Sequence, residues 1–142
     1  MYLAEALAKR KKLVTQIIDL QTTATSNLWL SVGSEDEKPD LETIEDLRIQ
    51  LRDLICAINL SNSLCGMTKL IAERDCLKAK IKWLTEVVSG ASSDTEARYN
   101  KGEKRVRTVN IDTARVILSR SQDMLVDLEC EINVLNWKTE LS

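Results

Sequence analysis

Apolar residues along this chain recur at steps of three and four, the spacing that gathers side chains onto one side of an α-helix. Leu3, Leu7, Leu13, Ile17, Leu20, Ala24 and Leu28 form the first such stripe. They predict a helix of about 28 residues, or about 42 Å at 1.5 Å per residue. Gly33 and Pro39 interrupt the pattern within Ser31 to Pro39, and Asp40 is a candidate N-cap for a second helix. That helix is expected from about Leu41 to Asn62, with Ile44, Leu47, Leu51, Leu54 and Ile58 on its stripe and Asn62 at its end. Ser63 to Gly66 ends it, and Thr68 can cap a third helix through Leu70, Ile71, Leu77, Ile81, Leu84 and Val88, closed by Gly90 to Ser93. The helical period fails from Thr95 to Asn110. There Tyr99, Val106, Thr108, Val109 and Ile111 predict extended backbone or a short β-ribbon. Asp112 can cap a last helix whose Ala114, Leu118, Ser121, Leu125, Leu128, Ile132 and Leu135 keep a heptad seam.

The pattern is written twice. Leu51 to Asn62 and Leu125 to Asn136 share seven of twelve residues, and Leu7, Ala8, Arg10, Leu13, Ile17 and Leu20 lie over Ile71, Ala72, Arg74, Leu77, Ile81 and Leu84. The offset is 64 residues for the first helix of each copy and 74 for the second, so the later copy carries about ten extra residues between its helices. The order implies a duplicated two-helix unit. The expected fold is therefore all-α: two duplicated antiparallel hairpins in an elongated four-helix, coiled-coil-like bundle, with an extended or β-ribbon insertion near 98–111. It is read as one domain over residues 1–142, with repeat one at 1–63 and repeat two at 64–142.

Composition narrows the chemistry more than it names it. The 142 residues hold no Phe, one Pro and four Gly, which is helix-bundle usage. His is absent, which removes the usual general base near pH 7 and the commonest metal ligand. Cys56, Cys65, Cys76 and Cys130 lack C-x-x-C spacing, so buried free thiols are expected rather than a zinc site. No phosphate-cradling glycine loop or dinucleotide fingerprint is present, and neither an enzyme nor a cofactor is expected. Met1 to Leu30 reads as a charged amphipathic helix carrying Lys9 to Lys12, not as a signal peptide, which places the expected protein in the reducing cytoplasm. No apolar run approaches the roughly 20 residues of a membrane span.

Several polar residues stand out against this background. Arg10 and Arg74 take equivalent places on apolar stripes, where an arginine pairs with an acid or reaches along the seam to water. Asp53, Cys56 and Asn59 lie three residues apart, as do Asp127, Cys130 and Asn133, so each trio shares a helix face. These residues, with Asn62, Asn136 and Trp137, are candidates for buried polar or interface positions. Trp29, Trp83 and Trp137 lie toward helix ends, where tryptophan closes a core or makes an interface. Arg98, Tyr99, Lys101, Lys104, Arg105 and Arg107 against Glu103 form a candidate interaction surface with a charge of +4 in ten residues. The corresponding linker of the first repeat is acidic, with Glu35, Asp36, Glu37, Asp40 and Glu42 against Lys38. Mutual attraction of the two linkers, within or between subunits, is favoured over nucleic-acid binding, because Tyr99 is the only aromatic available for stacking.

Met1 to Arg10, Ile58 to Asn62, Arg98-Tyr99, Val109 to Asp112 and Ile132 to Leu141 together resemble the small bacterial proteins of the septicolysin-like family. The likeness spans essentially the whole chain. Its most specific element is Asn136-Trp137-x-Thr139-Glu140-Leu141, a string that no helix-packing rule demands. The resemblance implies a bacterial, all-helical protein of uncharacterised function, with a membrane-active role suggested by the family name. The residues themselves predict a non-enzymatic homo-oligomeric scaffold, dimeric or larger, or a partner-binding protein. Nucleic-acid binding through 98–107 is the alternative, and membrane activity the second.

Overall fold

A computed structural model describes residues 1–36, 40–92, 106 and 108–142. The fold is all-α, and the described residues form four helices: α1 (Leu3–Ser26), α2 (Leu41–Leu64), α3 (Met67–Ser92) and α4 (Ile111–Lys138). They contain no strand. A single isolated antiparallel bridge joins Tyr2 to Glu140. The extended segment expected near 98–111 lies largely outside the described residues; Val106 and Thr108 to Asn110 are non-helical, and Ile111 opens α4 instead of ending a strand.

The helix ends are set by local hydrogen bonds. The Tyr2 N–H donates to the Glu5 carboxylate at 2.7 Å, settling the first turn of α1. The helix stops at Ser26, two residues short of the expected Leu28. Its last turns carry threonines whose hydroxyls donate back four residues, Thr22 to Ile18 O at 2.8 Å and Thr25 to Gln21 O at 2.9 Å, a habit that weakens helix continuation. Asp40 caps α2 as expected, accepting from the Thr43 N–H at 3.1 Å and from its hydroxyl at 2.6 Å. α2 continues to Leu64, and Gly66, with φ of 80°, turns the chain into α3 at Met67, one residue before the expected cap Thr68. α3 runs past Gly90 to Ser92. The cap of α4 is Asn110 and not Asp112: its side-chain oxygen accepts from the Thr113 N–H at 3.1 Å, while Asp112 sits inside the first turn, where a negative charge suits the helix dipole.

The chain forms two compact units, Met1–Met67 with Asn133–Ser142, and Thr68–Ile132. In the first unit α1 buries Leu3, Ala6, Leu13, Ile17 and Ala24, and α2 buries Ile44, Leu47, Leu54, Ile58 and Ser61. Full burial of a residue such as Ile58 contributes about 1.5–3 kcal/mol. The C-terminal segment closes this unit with three bonds. Leu3 N–H donates to Thr139 O and Leu141 N–H to Met1 O, both at 2.8 Å, and Ser142 N–H donates to Ser61 Oγ at 2.9 Å. They place the end of α2 beside the start of α1, so the pair is antiparallel.

In the second unit Lys78 of α3 meets Glu129 of α4 at 3.7 Å, while Trp83, Leu84 and Val87 share a hollow with Thr113, Ala114 and Ile117. Later α3 residues face earlier α4 residues, so this pair is antiparallel too. Leu84, Ala114, Ser121 and Ile132 are its buried positions.

Candidate interaction surfaces

Each polar position singled out by the pattern has a definite place. Asp53, Cys56, Asn59, Asp127, Cys130 and Asn133 are all exposed, as are Arg10 and Trp137; Asn62, Arg74 and Asn136 are half-buried. None is a buried polar group. The trios lie off the buried seam because Cys56 is two residues from both Leu54 and Ile58, about 200° round the helix. Asp53 bonds Arg52 at 2.7 Å, and that carboxylate holds the Arg52 guanidinium charged, above its ordinary pKa. Arg74 pairs with Asp75 at 2.9 Å, and Arg10 reaches solvent. Arg98, Tyr99, Lys101, Lys104, Arg105 and Arg107 lie outside the described residues.

One expectation is corrected and one is narrowed to its interface alternative. The four cysteines are free, but Cys56, Cys76 and Cys130 are exposed and only Cys65 is half-buried, its thiol donating to Asn62 O at 3.8 Å. The tryptophans close no core: Trp29 is 95% exposed, Trp83 60% and Trp137 64%. Among the described residues no group of three or more acidic or thiol side chains is placed to hold a metal ion.

Sequence reasoning missed a groove in the second unit, because it forms across two helices. Glu73, Cys76, Leu77 and Lys80 of α3 and Met124, Asp127, Leu128 and Glu131 of α4 line an open hollow of about 530 Å³. Its floor is apolar, and three carboxylates oppose one ammonium at its rim. Lys80 also borders a second, almost wholly apolar hollow of about 450 Å³ formed around Trp83, Leu84, Val109 and Ile117. In the first unit, α1 exposes Val14 and Ile18 one turn apart, following the basic run Lys9 to Lys12. None of those four cations has an ion-pair partner among the described residues.

The helical hairpins and the apolar hollows along them belong to an all-α protein. The chain belongs to a family of unknown function, DUF6847, whose model matches residues 10–141. It is similar to a crystal structure of a functionally unknown conserved protein from Corynebacterium diphtheriae, with 28% identity over 100% of this chain and 99% of that one and a TM-score of 0.86. No curated protein matches it. No single helix among the described residues is long and apolar enough to cross a membrane.

Proposed function

We propose that this protein is a non-enzymatic, homo-oligomeric scaffold or interaction protein. One observation carries the reading. Among its described residues the second unit buries only Leu84, Ala114 and Ile132 of its apolar side chains, while Trp83, Met124 and Val126 stand about 60% exposed. A pair of helices that leaves this much apolar surface exposed gains stability by covering it. A second copy is the occupant always present at the protein's own concentration. The exposed free thiols of Cys56, Cys76 and Cys130 suit a reducing compartment, and we place the protein in the cytoplasm.

The experiment is the mass of the purified protein in solution by light scattering, with absorbance at 260 and 280 nm recorded across the peak. The expected result is an oligomer free of nucleic acid. A monomer throughout the micromolar range refutes the reading. An oligomer peak carrying nucleic acid replaces it with binding through Arg98 to Arg107.

A further inference from the structure

We propose that two copies of this chain associate by seating the outer face of α1 of one copy in the α3–α4 groove of the other. The inference rests on the homo-oligomer reading and deepens it by naming both surfaces. The groove is acidic at its rim and apolar at its floor: Glu73, Asp127 and Glu131 flank Leu77, Met124 and Leu128. Asp127 and Glu131 are one turn apart on α4 and have no ion-pair partner among the described residues; Glu73 touches only Lys69, at 3.8 Å across an exposed pair. Such a groove takes an amphipathic helix that is basic at one end and apolar beyond it.

α1 carries a lysine followed by exposed apolar residues along one flank that it does not bury. Its buried positions are Leu3, Ala6, Leu13, Ile17 and Ala24. A second row, Leu7, Lys11, Val14, Ile18, Gln21 and Thr25, advances by alternate steps of four and three, the spacing of a helix-packing seam. Val14 is 39% and Ile18 53% exposed on it. With α1 parallel to α3, Lys11 meets the carboxylates while Val14 and Ile18 cover Leu77, Leu128 and Met124. The next turns of α1 then run toward the apolar hollow at Trp83. Each copy offers one helix face and one groove.

The test is a charge-reversal cycle on the full chain, read by sedimentation velocity across a concentration series, with circular dichroism confirming helix content. Lys11→Glu, and separately Asp127→Lys with Glu131→Lys, are each expected to weaken association at least about tenfold. The chain carrying all three reversals recovers it. A second measurement uses Val14→Cys with Cys56, Cys65 and Cys130 changed to Ser, leaving Cys76 in the groove; mild oxidation is expected to give a covalent dimer. A wild-type monomer overturns this inference together with the oligomer reading. A wild-type oligomer indifferent to both changes, or one that the triple variant fails to restore, overturns this interface and leaves the oligomer standing. An oxidised product that stays monomeric also overturns it.

Discussion

Ser61 and Ser121 are both 1% exposed, and replacing each with alanine separates two kinds of buried hydroxyl. Ser121 Oγ donates to Ile117 O, four residues back in its own helix, at 2.8 Å. Removing it releases a carbonyl in mid-helix and gives back alanine's better helix propensity, up to about 0.5 kcal/mol. Ser61 Oγ accepts from the Ser142 N–H across 81 residues of sequence. Removing it gains the same propensity but loses a tertiary hydrogen bond worth about 0.5–1.5 kcal/mol net and leaves a donor at the C-terminal clasp without its partner. The expectation is that Ser121→Ala lies within about 0.5 kcal/mol of wild type, while Ser61→Ala is about 1 kcal/mol less stable than Ser121→Ala. Urea melts followed by helix ellipticity at 222 nm, with the slopes compared as well as the midpoints, measure both. A Ser121→Ala protein as destabilised as Ser61→Ala refutes the reasoning, since the two differ chiefly in that one long-range bond.

Three further outcomes are expected. Ile58→Ala, at a side chain 1% exposed, is expected to cost about 2–5 kcal/mol in the same melts. Asn110→Ala is expected to cost about 1 kcal/mol by removing the cap of α4, while Asp112→Ala costs a few tenths; the reverse order in thermal unfolding would return the cap to Asp112. Asp40 is held below its ordinary pKa of 3.8, first by the Thr43 hydroxyl and then by the Thr43 N–H. A carboxylate lowered on folding contributes stability that is fully present above the unfolded value and disappears as pH falls through the folded one. The stability gap between wild type and Asp40→Asn, which keeps a capping oxygen without the charge, should therefore narrow from pH 6 to pH 3. A gap independent of pH contradicts the assignment.

The helices were legible because three-and-four spacing is local, and the repeat made the second hairpin follow from the first. Their ends were less so. Asn110 and Asp112 are both capping types two residues apart, and only the backbone bond to Thr113 decides between them. Cysteine's habit of being buried misled at Cys56, Cys76 and Cys130, where exposure follows from angle on the helix and not from residue type. The string from Asn136 to Leu141 was visible as something packing does not require. Its use, pairing Thr139 and Leu141 with Leu3 and Met1, depends on a contact between opposite ends of the chain that no local pattern encodes. The groove was invisible for the same reason, since its two walls are about fifty residues apart in sequence.

Comparing the repeats position by position separates what the duplication keeps from what it changes. Leu3 and its counterpart Met67 are both buried, as are Ile58 and Ile132; Asp53 and Asp127, Cys56 and Cys130, and Asn59 and Asn133 are all exposed. Those pairs sit in equivalent surroundings, which is the behaviour of a shared framework. Elsewhere the repeats diverge in opposite directions. Leu13 and Ile17 are buried in the first unit, whereas Leu77 and Ile81 are only half-buried in the second. Val14 and Ile18, on the outer row of α1, correspond to Lys78 and Lys82 on α3. One repeat has thus acquired an apolar outer face behind a basic run, and the other has kept its seam open beside carboxylates. Each change leaves apolar surface uncovered in the unit that carries it: Val14 and Ile18 are 39% and 53% exposed, and half-buried Leu77 and Leu128 forgo burial that their counterparts Leu13 and Leu54 obtain. Both become favourable when a face of the first kind covers a groove of the second, and the duplication supplies one of each in every chain.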